Sequence, residues 1–345
     1  CTTLPIVRSK RTLLALLGGG VAAVLALGYG LCGPAVPREV RLVPIRLAGG
    51  PELPEAEISA LAWRGDELVL LPQYPRRFGP GAGAVFVVPR RAIEDAIDGK
   101  VDVVRVRTVP IHAPGLEESF AGFDGYEAIA FAGDDAYLTI ETRVDPERTV
   151  GYLLSGRAHG APLERITIAR EPHARLAAQT ELGNTGYEAL VLDGERVIAL
   201  YEANGEINPR PRALAFDRAL RPLGEIPVGP VEYRVTDASE VDGEGRFWVA
   251  NYHWPGSPWQ PGVCRLTEEH GQGETHARCR TVERLVELSL RGSRIEPTGR
   301  APILFELVDD DHARNWEGLV RLPGRGFLVM TDEHPASILA FVPAP

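Results

Sequence analysis

Several signatures are missing from this chain, and each absence removes a class of protein. There is no G-x-S-x-G nucleophile elbow, no H-E-x-x-H helix, no P-loop, and no dinucleotide glycine fingerprint between a strand and a helix. The four cysteines show no zinc-ligand spacing, which excludes a zinc module. After residue 40 no long run carries a helical period; RRAIEDAIDG (90–99) allows one short helix at most. Lysine is confined to Lys10 and Lys100, so nearly all positive charge is arginine, a bias that carries no functional meaning by itself. Basic residues are also in the minority, 37 against 47 acidic. Nucleic acid, whose phosphates demand a basic surface, is therefore not the expected partner.

The first 37 residues differ from the rest. Arg8, Lys10 and Arg11 precede an uncharged stretch from Thr12 to Pro37, with LLALLGGGVAAVLALGYGL (13–31) as its apolar part. That length lies between a signal-peptide core and a membrane span, and its flanking charge places the remaining chain across the membrane from the cytoplasm. A cleaved signal and a retained anchor both fit, and either implies a periplasmic or extracellular protein. Cys32 suggests lipidation, but Leu31 stands where lipobox patterns carry a small residue. Residues 38–345 keep 34 basic against 47 acidic residues, a net charge of −13.

What the chain does have is a repeat. SALAWRGDELVLLPQ (59–73), EAIAFAGDDAYLTIE (127–141), EALVLDGERVIALYE (188–202), DASEVDGEGRFWVAN (237–251) and EGLVRLPGRGFLVMTD (317–332) read as five hairpins. Their first column is Ser59, Glu127, Glu188, Asp237 and Glu317, followed by the small residues Ala60, Ala128, Ala189, Ala238 and Gly318. Glycines 65, 133, 194 and 243 mark the turns, with Gly324 one residue late. The closing column is Gln73, Glu141, Glu202, Asn251 and Asp332. In an antiparallel hairpin the first and last columns lie opposite each other at the open end, so both sets of polar groups meet at one mouth.

A third apolar run follows each hairpin: GAVFVVPR (83–90), VGYLLSGR (150–157), RALAFDR (212–218), GVCRLTEE (262–269) and SILAFVPA (337–344). A fourth follows in VDVVRVRTVPI (101–111), LERITIAR (163–170), LGEIPVG (223–229) and RTVERLVELSL (280–290). The fifth unit lacks its fourth run, and REVRLVPIRLAG (38–49) stands ready to supply it. Four-stranded repeats closed by an N-terminal strand predict an all-β propeller of five blades, forming one monomeric domain. Intervals of 68, 61, 49 and 80 residues between first-column positions leave six blades open. A β-sandwich whose hairpins merely share turn chemistry is the other alternative, and it does not explain acids in two columns.

Crowded carboxylates must bind a cation, hold protons, or splay apart in water, because like charges about 4 Å apart repel by roughly 4 kcal/mol at an effective dielectric near 20. Calcium, with six to eight oxygen ligands in irregular geometry, answers this most directly. Glu127, Glu188, Asp237 and Glu317 are the expected ligands, with uncharged Ser59 the weakest. Alternatively these acids accept backbone hydrogen bonds and tie the ring together. Loops rising after the closing column bring Arg76, Arg143, Arg148, Arg210, His253, Trp254 and His334, of which Arg76, Arg143, Arg210, His253 and Trp254 are the candidate substrate contacts. Guanidinium groups pair bidentately with phosphate or carboxylate, so a small anionic substrate is expected, with Glu141 or Glu202 as the base. Cys264 and Cys279, on facing strand candidates, could form a disulfide or remain two free thiols; His270, Glu274 and His276 in the loop between them could bind metal or simply be solvated.

The motifs GYEAIAF…YLTIE, TGYEALVL…IALYEANG and NWEGLV…FLVMTDE resemble the phytase-like, or esterase-like, propeller family, whose "EG(L/I)" hairpins recur around a ring. The ring of acids is similar to that of calcium-activated nucleotidase propellers. The resemblance covers the hairpins only; it implies the propeller fold, calcium at the acidic ring, and a phosphoesterase-like hydrolase. Ser59 and Asp237 depart from the Glu-Ala/Gly pattern. The competing expectation is a non-catalytic propeller with structural calcium, whose aromatic loop YHWPGSPWQPG (252–262) binds a peptide, glycan or envelope partner.

Overall fold

The computed structural model describes residues 36–145, 148–332 and 336–344. The leader segment, and with it the expectations on localisation and Cys32, lies outside the described residues, as does His334. The side chain of Arg148 is likewise not described. Among the described residues no helix is long and apolar enough to cross a membrane.

The chain is mostly β and propeller-like. After β1 (Val43–Ile45) and β2 (Leu47–Ala48), the first unit consists of β3 (Ile58–Arg64), β4 (Glu67–Pro72), β5 (Ala84–Pro89) and, after the short helix α1 (Arg90–Ile97), β6 (Val104–Arg105) and β7 (Arg107–His112). The second is β8 (Phe123–Ala132), β9 (Asp135–Asp145), β10 (Arg148–His159) and β11 (Arg165–Leu176). The third is β12 (Ala189–Asp193), β13 (Arg196–Leu200), β14 (Arg212–Asp217) and β15 (Pro222–Pro227). Then come β16 (Arg234–Ala238), β17 (Arg246–His253), α2 (Arg265–His270), β18 (Val282–Arg291), β19 (Arg294–Pro297) and β20 (Ile303–Leu304), and finally β21 (Trp316–Leu322), β22 (Gly326–Thr331) and β23 (Leu339–Pro343).

The main sheet of each unit is an antiparallel meander, as alternating β-branched and aliphatic strands joined by tight turns require, while β6 pairs parallel with β2 outside it. Gly65, Gly133 and Gly194 take positive φ as the first residue of two-residue turns, where a side chain would be strained. The N-terminal β1 pairs antiparallel with β23, Val43 opposite Phe341, and so completes the last sheet as expected. The first two units fuse into one eight-stranded sheet through a short parallel ladder, Ile111 with Ile166 and His112 with Thr167, which the repeat pattern does not foresee. The opening strands β3, β8, β12, β16 and β21 neighbour one another in a closed cycle, and apolar side chains fill the wedges between sheets. Side chains stitch neighbouring units: Trp63 Nε1 donates to Arg321 O (2.6 Å), Thr139 Oγ1 to Tyr187 O (2.8 Å) and Thr236 Oγ1 to Trp316 O (2.5 Å).

The fourth unit departs from the sequence reading in three respects. GVCRLTEE (262–269) is not a strand: its second half is α2, and the third strand is β18, within the run expected to be fourth. Cys264 and Cys279 are therefore not on facing strands, and both are free thiols rather than a disulfide. The hairpin register also slips by one. Asp237 lies opposite Ala250, in the position held by Ala60, Ala128, Ala189 and Gly318 elsewhere, because the turn is longer and its positive-φ glycine is Gly245, not Gly243.

Candidate functional site

Four of the five opening strands carry a bulge at their start, between Ile58 and Ala60, Tyr126 and Ala128, Val235 and Asp237, and Trp316 and Gly318. A bulge inserts one unpaired residue and re-aims its side chain. The inserted residues are Ser59, Glu127, Thr236 and Glu317, and Glu188 holds the same place just before β12. The small residue that follows is needed for close packing: a Cβ on Gly318 would stand 2.6 Å from Leu61 Cγ. By the same register the closing column is Gln73, Glu141, Glu202, Tyr252 and Asp332.

These columns open into a cavity of about 830 Å³. Glu127, Glu141, Glu188, Glu317 and Asp332 are on its wall together with Arg143, Arg234, Tyr252 and Trp254. Further out stand Glu57, Asp124, Asp310 and Asp311, so nine acids face only three arginines, the third being Arg314. Gln73 Nε2 donates to Glu127 Oε1 (3.1 Å), and Asn315 Nδ2 donates to Glu317 Oε1 (2.6 Å). Glu141 Oε1 and Glu188 Oε2 are buried without a hydrogen-bond partner, an expensive condition unless something else occupies the space before them.

Electrostatics follow from this crowding. Burial first, and then the charge of Glu188, push Glu141 up to about 8. Burial likewise pushes Glu188 up to about 8, with Asp332 adding to it and Arg234 opposing it. Glu127 and Glu317 are raised well above the usual carboxylate range, by burial and then by their acidic neighbours. At neutral pH the cluster therefore holds protons.

The expected site residues divide. Of the expected ligands, Glu127, Glu188 and Glu317 share the cavity. Ser59 does not line it; its hydroxyl donates to Leu71 O (3.3 Å). Asp237 is buried away from it, accepting from the amides of Ala238 (2.7 Å) and Leu319 (2.6 Å), which ties β16 to β21. Glu141 is on the wall, whereas Glu202 lies behind it, fully buried and paired with Arg234. Arg143 and Trp254 reach the cavity. Arg76 instead pairs with Glu117 (2.8 Å) and Glu118 (2.7 Å), Arg210 is exposed away from the wall, and His253 faces a separate, smaller cavity. In the 265–278 loop, His276 pairs with Glu39 (2.8 Å). Sequence reasoning missed Arg234, whose guanidinium also lies 4.4 Å over the Trp259 ring. With the turn placed at Gly245, the same column would have shown Tyr252 opposite Arg234.

The all-oxygen donor set and the two partnerless buried oxygens suit a hard cation. With the side chains as they stand, no three His, Cys, Asp or Glu residues among those described are arranged to hold one. Comparison with known proteins gives no matching family model and no matching curated relative. Among solved structures the chain is similar to a glutaminyl cyclase of Myxococcus xanthus (11% identity, TM-score 0.42, covering 89% of this chain and 99% of that one). It is likewise similar to a soluble aldose sugar dehydrogenase from Escherichia coli (12%, 0.44, 88% and 100%) and a glucose dehydrogenase (15%, 0.46, 87% and 99%). Overlaps this loose transfer no chemistry.

Proposed function

We propose that the chain is a five-bladed propeller whose carboxylate-lined mouth binds calcium and serves as a hydrolase-type site for a small anionic ester. The five-fold reading is supported by the closed cycle of opening strands and by β1 completing the sheet of β21–β23. The observation that carries the site is the pair of buried, partnerless oxygens, Glu141 Oε1 and Glu188 Oε2, in a cluster whose ionisation at neutral pH is unfavourable without a cation. Glu127, Glu141, Glu188 and Glu317, with Asp332, would hold the ion, which when bound supplies positive charge against a substrate oxygen.

The chain's own residues do the rest. Acids outnumber arginines at the mouth, so even with the inner carboxyls protonated a bound cation would strengthen anion binding here. Arg143, held by Asp124 (2.6 Å) and Asn184, and Arg234, held by Glu202, present guanidinium groups to a phosphate or carboxylate. Trp254 offers a flat apolar surface beside them. Glu141, on the wall beside that ion, would take a proton from water through the carboxylate oxygen not turned to the ion and return it to the leaving group. Glu202 acts through Arg234 as a positioning residue. Export, expected from residues 1–37, belongs to the same proposal.

Hydrolysis of a chromogenic phosphate ester, measured with calcium and with chelator, tests the catalytic half. Turnover that requires calcium and is lost in E141Q is the expected result. Calcium binding without turnover of phosphate or carboxylate esters would leave a binding site and refute the hydrolase.

A further inference from the structure

A second cavity, of about 270 Å³, lies between the 255–280 segment and strands β17 and β18, sharing Pro255 with the mouth. Arg284 stands on its wall, only 2% exposed. Its Nε donates to Asn251 Oδ1 (2.7 Å) and its Nη2 contacts Cys264 Sγ (3.2 Å), while Tyr233, held at φ +82°, sets its ring 5.1 Å from the guanidinium. Among the described residues no carboxylate lies within ion-pair distance of Arg284, and Nη1 has no protein acceptor. The nearby acids are committed elsewhere: Glu283 to Arg314 and Trp316, Glu39 to His276. A guanidinium buried without a counter-charge is costly, and such groups are normally paired. On the same wall His253, 7% exposed, has a buried Nδ1 with no partner. Arg280, whose Nε lies 3.5 Å from Asp310 Oδ2, brings a second guanidinium to the rim with its remaining donors.

We propose that this cavity binds a small organic carboxylate, held by Arg284 Nη1, His253 Nδ1 and Arg280. A planar carboxylate matches the guanidinium fork, and the Tyr233, Val282, Leu304 and Pro261 walls take a short apolar chain rather than a fully hydrated inorganic ion. The site stands on observations separate from those at the mouth and does not depend on the mouth's chemistry.

Isothermal titration and thermal shift of the full chain with sodium acetate, propionate and butyrate, against sodium chloride and phosphate at equal ionic strength, test it. Saturable binding of one carboxylate per chain is expected, tightening with chain length until the cavity fills, lost in R284M and weakened roughly tenfold in R280A and in H253A, as loss of a charge-assisted hydrogen bond implies. Should R284M fail to fold, R280A and H253A decide. Equal shifts with chloride, or carboxylate affinity unchanged in both R280A and H253A, would overturn the proposal. So would a Cys264 thiolate, seen by its ultraviolet absorbance at neutral pH, in a protein that binds no carboxylate, because the thiolate would then be the counter-charge.

Discussion

Raising the pH of the calcium-free protein from about 6 to about 8 should destabilise it steeply, because folding raises the proton affinity of the mouth carboxyls. Glu141 and Glu188 move from an ordinary value of 4.5 to about 8. A folded pKa above the unfolded one means that the native state binds extra protons throughout that window. The associated stability is complete below the unfolded value and is lost as pH climbs through the folded one. Each extra proton is worth about 1.4 kcal/mol per pH unit, so the pair gives a slope of at most about 2.7 kcal/mol per unit; water in the cavity and movement of the acids apart lower this to about 1–2. Urea unfolding in chelator at several pH values measures the slope directly. E188Q, which removes one titrating group, should flatten it by about 1 kcal/mol per unit and raise stability at the alkaline end. Saturating calcium should flatten it further by stabilising the ionised forms, with release of protons on binding. Stability that is level or rising across this range in chelator would refute the reasoning.

Asp237 belongs to the frame and not to the ion: D237A should cost about 2–4 kcal/mol by stranding the Ala238 and Leu319 amides, while calcium affinity stays within about twofold, as paired denaturation and titration would show. Glu283 accepts from Arg314 Nε (2.7 Å) and Trp316 Nε1 (2.7 Å), so E283A should cost about 2–3 kcal/mol in the same unfolding assay by leaving the buried Trp316 Nε1 and the partly buried Arg314 without that acceptor. Reductant should leave the melting temperature unchanged, and thiol labelling after denaturation should find both Cys264 and Cys279 reactive without it.

The architecture was legible where a column had one physical cause. A small residue is demanded at Gly318 by the approach of Leu61, the alanines of its column are buried likewise, and the glycines of the two-residue turns answer to positive φ; both columns show in a single sequence. Legibility failed where local chemistry allowed two answers. Gly243 and Gly245 lie two residues apart, and only pairing across the strands selects the second, which moves Thr236 rather than Asp237 into the acidic column. GVCRLTEE alternates well enough for a strand, yet Arg265–His270 winds into a helix once β18 occupies the third place in the sheet. At the site, three acids of the first column and two of the closing column did converge as their repeat spacing predicts. Arg234 and Arg284 were not foreseen, because a lone arginine among many signals nothing until its burial and partners are known.

The most direct measurement is the calcium content of the protein at slightly alkaline pH, by equilibrium dialysis, for the native sequence and for the E141Q/E188Q double variant. One calcium per chain, lost in the double variant while its fold persists, is what the account predicts. No bound calcium, or calcium bound equally by both proteins, would contradict it.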